Sequence, residues 1–308
     1  MLSRIAESLF WIGRYVERAD DTARILDVQT HRLIEDPTLD ERRWCRLILS
    51  TMGAPAEGRV DRETVLELLT HDRTSPASIA SSLEAARESA RGAREILSTD
   101  MWEALNTTWR MVPTGRFEAM KPDVAFTWVR QRAALLAGIA DATISRDETY
   151  NYLVLGRSIE RADMTARLLS TTALANRQVT DWSSALHACG AYEAFLRTYR
   201  GMEADTAAVE FLVLDRLFPR SIVFALNLAE RSLVTLHSGE RRTGFGDEAH
   251  RLLGRARADL EYRALEDLLA DLPGEMTRLQ RSLQQATEAI SRSYFEGAVA
   301  MTWTGEGR

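Results

Sequence analysis

The twelve residues Gly13-Arg14-Tyr15-Val16-Glu17-Arg18-Ala19-Asp20-Asp21-Thr22-Ala23-Arg24 return 143 residues later as Gly156-Arg157-Ser158-Ile159-Glu160-Arg161-Ala162-Asp163-Met164-Thr165-Ala166-Arg167. Nine of the twelve positions are identical, and most of the identical ones are polar. An amphipathic helix that only has to bury one face needs a fixed apolar stripe, not a fixed polar one. Two copies of a polar pattern therefore constrain what surrounds both helices, and any fold for this chain must place them.

The same register extends beyond the motif. Glu67 and Leu69 match Glu210 and Leu212, Asp72-Arg73 matches Asp215-Arg216, Pro76 matches Pro219, Ser78-Ile79 matches Ser221-Ile222, and Leu83 matches Leu226. One register without a gap from residue 13 to residue 83 reads as an internal duplication. The expected fold is all-α, a single domain over 1–308 built as a helical bundle of two roughly six-helix repeats around a pseudo-twofold axis. Repeat one covers 1–143 and repeat two covers 144–297, with a frayed tail at 298–308.

Apolar spacing places the helices. Ile5, Leu9, Ile12, Val16, Ala19, Ala23 and Leu26 recur every three to four residues, which predicts one long helix over 2–34 that ends at Asp36-Pro37. Further helices are expected at 39–51, 62–69, from Ser75-Pro76 to Leu97, 99–111 and 123–143. The second half is expected to run 147–175, Asp181 to Arg200, 204–214, Pro219 to Leu236, 247–270 and 273–296. Only 7 prolines and 17 glycines interrupt this pattern, and strand-like runs are nearly absent.

Composition excludes several classes of function. The net charge is −6 with both signs mixed along the chain, so there is no basic patch for nucleic acid. No apolar run approaches the roughly 18–20 residues of a membrane span, and Arg4, Glu7, Arg14 and Glu17 interrupt the N-terminal region as no signal peptide would. Cys45 and Cys189 stand alone, with neither a disulfide framework nor metal-ligand spacing, and fit a cytoplasmic protein. Phosphate-binding loops, Ser/His/Asp arrangements and Glu-x-x-His di-metal motifs are absent, so no cofactor and no metal is expected. Asp20-Asp21 resembles the aspartate-rich motif of helical prenyl synthases, but Arg24 and Met164 stand where further acids are needed.

The polar stripe supplies the candidate site. Gly13, Glu17, Asp20 and Arg24 share one helix face, as do Gly156, Glu160, Asp163 and Arg167. The stripe sits beside the apolar stripe, at the border of the core. A mid-helix glycine costs about 1 kcal/mol relative to alanine, which close approach of a backbone or ligand would explain. Buried charges must be paired, and the spacing allows Arg14–Glu17, Asp20–Arg24, Arg157–Glu160 and Asp163–Arg167 along each helix. Two readings stay open. These residues, with Arg18 and Arg161, form structural ion pairs that set the bundle register; or they line a cleft for a carboxylate-, amide- or phosphate-bearing ligand. Asp72 and Asp215 are read as helix caps or rim residues. Ser78 and Ser221 are placed in a first helical turn, where an anion can bind. Trp102 and Asn106, one turn apart, are assigned to the core.

The motifs together resemble a known family. Met1 to Trp11 leading into Gly-Arg-Tyr-x-Glu-Arg-Ala, Met101-Trp102-Glu103-Ala104-Leu105-Asn106, the second Gly-Arg-x-Ile-Glu-Arg-Ala-Asp, and Phe211-Leu212-Val213-Leu214-Asp215 before Phe218-Pro219-Arg220-Ser221 are similar to the bacterial alpha-E family over nearly the whole chain. Met164 and a shortened Arg-rich part of the early Ser-Ile segment depart from the pattern. The resemblance implies a helical protein found beside, or fused to, an ATP-grasp amide ligase and a transglutaminase-like peptidase. It implies a helical component of an ATP-dependent peptide or amino-acid amide-ligation system, binding the ligase or a peptide or carboxylate substrate through the Glu/Arg cleft. An enzyme using Glu17 or Glu160 as general acid/base, or a structural dimerisation module in a homo-oligomer, are the alternatives.

Overall fold

The computed structural model describes residues 1–55, 60–175, 182–200, 205–237, 244 and 247–295. Among them the secondary structure is helical throughout, without a strand. The helices are α1 Ser3–Glu35, α2 Glu41–Met52, α3 Arg62–Thr70, α4 Ile79–Gly92, α5 Thr99–Arg110, α6 Pro122–Thr143, α7 Glu148–Ala175, α8 Trp182–Ala188, α9 Tyr192–Thr198, α10 Asp205–Leu214, α11 Ile222–Leu236, α12 Glu248–Glu261, α13 Leu265–Ala270 and α14 Leu272–Ile290, closed by a π turn, Ser291–Phe295. No helix among the described residues is long and apolar enough to cross a membrane.

Side-chain caps fix most starts. Asp40, Asp61, Ser78, Ser98, Ser221 and Asp247 each accept hydrogen bonds from amides of the first turn that would otherwise lack a partner. Several expected boundaries move accordingly. Ser78, not Ser75, caps α4, because Asp72 folds the preceding residues into a turn by accepting from the Thr74 amide at 2.8 Å. Ser221 likewise caps α11, so Pro219 lies before the helix. Helix α4 stops at Gly92 rather than Leu97. The helix expected up to Arg200 breaks at Gly190, whose φ of 60° suits glycine, into α8 and α9, and its expected cap Asp181 lies outside the described residues. The stretch 247–270 divides at Tyr262, where α12 ends, and resumes at Leu265. The last α-helix ends at Ile290, and the tail from residue 296 lies outside the described residues.

Helices α1 and α7 form the centre. Phe10 meets Gly156, Arg14 reaches Glu160, and Glu17 pairs with Arg161. Residue numbers rise together across this seam, so the two helices run in parallel. Helix α1 packs on α4 and α6, with α5 against both, while α7 packs on α11 and α14, with α12 against both. Two short helices cross over: α2 lies on α7, where Thr51 and Thr171 share a 2.8 Å hydrogen bond, and α8 lies on α1. The apolar sides of both central helices are buried, including Leu9, Ile12, Ala23 and Leu26 on α1 and Leu155, Ile159, Ala166 and Leu169 on α7.

The glycines explain how close the centre packs. A Cβ on Gly13 would lie 2.1 Å from the Leu153 carbonyl oxygen, and one on Gly156 would lie 2.0 Å from that of Phe10. Both obstacles are backbone and cannot rotate away. Leu153 follows Phe10 by the same 143 residues that separate the glycines, so the two contacts mirror each other.

Candidate functional site

The close seam carries the glutamates to the opposite helix. Glu17 and Glu160 lie one turn after the glycines, on the same face, and both are buried, at 4% and 1% exposure. Each is gripped by arginines of the other helix. Arg161 donates to Glu17 through Nε at 2.6 Å and Nη2 at 2.8 Å. Arg18 donates to Glu160 through Nε at 2.6 Å, and Arg14 adds its Nε at 2.5 Å. Arg14 also donates to Thr287 on α14 at 3.0 Å. The expected Arg14–Glu17 pairing within one helix is thus replaced by pairing between helices. The three-residue step points Arg14 across the seam, where Glu160 is buried and needs a cation. The within-helix pairs Asp20–Arg24, at 3.0 Å, and Asp163–Arg167, at 2.8 Å, form as the spacing indicates.

The two halves of the site then diverge. Arg220, just before α11, inserts its guanidinium among Glu17, Asp20 and Asp21; it pairs with Glu17 at 2.9 Å and makes closer contacts to both aspartates. Sequence reasoning missed this residue. Its position in the other half is Ala77, and that of Asp21 is Met164. A charged pair facing an apolar pair in otherwise matching copies was the available signal.

Electrostatics follow from these contacts. Burial opposes ionisation of Glu160, but Arg14 and Arg18 outweigh it and hold the carboxyl at about 2. Burial likewise opposes ionisation of Glu17, and Arg161 and Arg220 bring it to about 2. Carboxylates held this way are ionised across the neutral range and are weak bases. Asp21 behaves oppositely. Burial, with Glu17 and Asp20 nearby, raises it to about 8 against the pull of Arg220. The cause is arithmetic: one guanidinium serves three carboxylates, and the Asp21 Oδ2 is buried without a partner. Burial also raises the Cys189 thiol to about 12, so it is an inert thiol at neutral pH.

Glu17, Asp20 and Asp21 present oxygens within 4.8 Å of one another, close enough for a metal ion. Arg220 pairs with all three, so this donor set already surrounds an internal cation and does not fit a metal as it stands.

The remaining candidates sit apart from this centre. Ser78 and Ser221 are fully buried caps rather than first-turn residues, and both hydroxyls are engaged: Ser78 accepts from the Ser81 amide, and Ser221 accepts from Phe224 while donating to the Asp215 carbonyl. Asp72 and Asp215 close turns before them, Asp215 accepting from the Leu217 and Phe218 amides at 2.8 and 2.7 Å. Their neighbours Arg73 and Arg216 pair with Glu84 and Glu261. Asn106 accepts from Arg87, and the half-buried Trp102 lies under Arg87 and Arg94.

Two cavities flank the central pair. The first, of about 170 Å³, lies between α1, α6 and α7. Its floor is Gly13, Glu17, Asp20, Arg24, Arg157, Arg161 and Arg220, and its walls include Ile12, Val16, Met101, Ala133, Leu136 and Leu153. The second, of about 610 Å³, lies between α1, α7 and α14. It carries Arg14, Arg18, Asp163 and Arg167, a stacked Trp11–Tyr15 pair, and Gln280, Gln284 and Thr287 of α14.

A family described as a predicted alpha-helical domain with a conserved ER motif, Alpha-E, matches residues 1–295. The chain belongs to the Alpha-E family. In this Alpha-E chain the dipeptides Glu17-Arg18 and Glu160-Arg161 supply the carboxylates and two of the cations that interlock at the seam. The chain is also similar to an uncharacterized protein of Mycobacterium bovis (strain ATCC BAA-935 / AF2122/97), at 26% identity over 94% of this chain and 36% of that protein. An uncharacterized protein of Mycobacterium tuberculosis (strain CDC 1551 / Oshkosh) gives the same identity and coverage, and one of strain ATCC 25618 / H37Rv is 25% identical with the same coverage. The Alpha-E region thus spans about a third of the length of these curated relatives. No solved structure matches the chain.

Proposed function

We propose that this Alpha-E chain is the ligand-binding helical component of an ATP-dependent peptide or amino-acid amide-ligation system, presenting a carboxylate-bearing substrate from the Glu/Arg cleft between α1 and α7 to a partner ligase. The observation that carries this reading is the convergence of arginines at the seam. Arg24, Arg157, Arg161 and Arg220 all line one cavity whose other charged lining groups are Glu17 and Asp20. Arginine forks match carboxylates geometrically and bind them with charge-assisted hydrogen bonds. The neutral-range ionisation of Glu17 and Glu160 favours a binding and orienting role for them over proton transfer. The longer relatives support a component that works with additional polypeptide, since this region is a minor share of their length.

The reciprocal contacts of Gly13 and Gly156, and of Arg18 with Glu160 and Arg161 with Glu17, support a duplicated architecture with a division near residue 143. In this reading one six-helix ancestor was doubled, and the second copy gained Arg220 and extra short helices.

The experiment is reconstitution with the ligase encoded beside the protein's gene. The complex should co-purify, and ATP-dependent amide formation should fall when Glu17→Gln is introduced into a protein that still folds and still assembles. Unchanged turnover with that variant would refute a role for the cleft. Failure of the two proteins to associate would refute the system.

A further inference from the structure

We infer that the cavity between α1, α6 and α7 is a binding site for a short-chain monocarboxylate with an apolar tail, anchored on the Arg157 guanidinium. The inference rests on the reading of the Glu/Arg cleft as a carboxylate site and names which part of the cleft binds and what it takes.

The argument begins with the difference between the two halves. In one half, Arg14 and Arg18 both grip Glu160. The matching pair in the other half is Arg157 and Arg161, facing Glu17. Arg161 takes Glu17 as expected, but the remaining place on that carboxylate is filled by Arg220. Arg157 is displaced. It stays near enough to act on Glu17 electrostatically, yet its Nε is buried and has no hydrogen-bond partner. A buried donor left unmade costs about 1–3 kcal/mol, more when it belongs to a charged group. Because Arg157 lines the cavity, a ligand there can reach its guanidinium.

Charge selects the ligand class. Glu17, Asp20 and Asp21 are matched by Arg24, Arg161 and Arg220. Arg157 is the surplus cation, and one surplus cation suits one negative charge. A dianion would face Glu17 and Asp20 across the same small space. Wall chemistry selects the rest. Ile12, Val16, Leu136 and Leu153 are apolar, so the far end of the ligand must be hydrocarbon. Size sets the length. A cavity of about 150 Å³ accommodates benzene, so about 170 Å³ suits some six to eight non-hydrogen atoms. Pentanoate has that size and shape, as do branched acids of similar carbon count.

The test uses the full chain with sodium pentanoate, its neutral counterpart pentanamide, and inorganic phosphate, read by titration calorimetry and thermal unfolding. Pentanoate is expected to bind saturably and raise the unfolding midpoint, whereas pentanamide and phosphate do neither. Arg157→Gln should weaken pentanoate roughly 10- to 100-fold, the range set by a charge-assisted hydrogen bond. Ala137→Leu fills the cavity from α6 without touching the cation and should abolish binding too, so loss of binding does not depend on one variant. Binding that survives both substitutions, or no binding by linear acids of two to eight carbons, would overturn the inference. Ligase association that persists while pentanoate fails to bind would leave the system reading standing and sink only this pocket.

Discussion

Asp21 and Arg220 are ion-paired across 199 positions of sequence, and the residues at the matching positions of the other half, Met164 and Ala77, are both apolar. The pair has no counterpart, so it is the element that makes two similar halves unequal. Removing one partner of a buried pair strands the other charge. Arg220→Ala leaves three buried carboxylates short of a cation and is expected to cost about 3–5 kcal/mol in urea unfolding. Adding Asp21→Met in the same chain copies the arrangement of the other half and should recover part of that loss. A double variant no more stable than Arg220→Ala would show that the two positions are not coupled.

The seam glycines give a second test. Gly13→Ala and Gly156→Ala each drive a methyl into a backbone carbonyl at about 2 Å, so each should lose about 3 kcal/mol or more through forced separation of α1 and α7. Gly138 on α6 has open space around its Cβ direction. Gly138→Ala should be neutral or more stable by up to about 1 kcal/mol from helix propensity alone. Equal effects at all three positions would contradict the close-approach account.

The two glutamates should differ in consequence. Glu160 is the acceptor for both Arg14 and Arg18. Arg161 has the Pro219 carbonyl at 3.2 Å in addition to Glu17, and Arg220 keeps Asp20 and Asp21. Glu160→Gln should therefore destabilise more than Glu17→Gln, measured as the shift in urea midpoint at neutral pH. The reverse order would mean that the cross-helix pairs do not carry the energy assigned to them.

Stability should depend on pH in two opposed ways. Glu17 and Glu160 have folded values near 2, below their usual 4.5, so their contribution is present above about 4.5 and is lost as pH falls towards 2. Asp21 is raised from 3.8 to about 8, so its contribution is present below about 3.8 and is lost as pH rises towards 8. The protein should be most stable on the mildly acidic side. Asp21→Asn should flatten the decline between pH 5 and 8 and leave the acid limb unchanged, as read from unfolding midpoints across pH.

How much of this was legible in the sequence depends on the distance over which the interactions act. Local signals were clear: the long opening helix, the Asp20–Arg24 and Asp163–Arg167 pairs, and the all-helical class follow from periodicity and spacing within a turn or two. Capping was partly hidden, because Ser75-Pro76 and Ser78 both offer helix starts, and only the Asp72 turn decides between them. Arg14 was assigned to Glu17 because both lie on one helix, whereas burial of Glu160 on a neighbouring helix drew it away. Arg220 left almost no local trace. Its partners lie on α1, and its importance shows only when the copies are aligned and their mismatches are read as pairs.

The exchange of α2 onto α7 and of α8 onto α1 has a consequence for synthesis. Helix α1 is among the first segments made, yet the arginine that grips Glu17 lies at 161 and the one that serves Asp21 lies at 220. At roughly 5–20 residues per second, on the order of ten seconds or more separate the emergence of this helix from that of its partners. Through that interval its glutamate and aspartates have no place to be buried, and its apolar stripe has only its own half to cover it. Native assembly is therefore a late event in translation, and the newborn chain must keep its first helix from finding another partner until its seventh arrives.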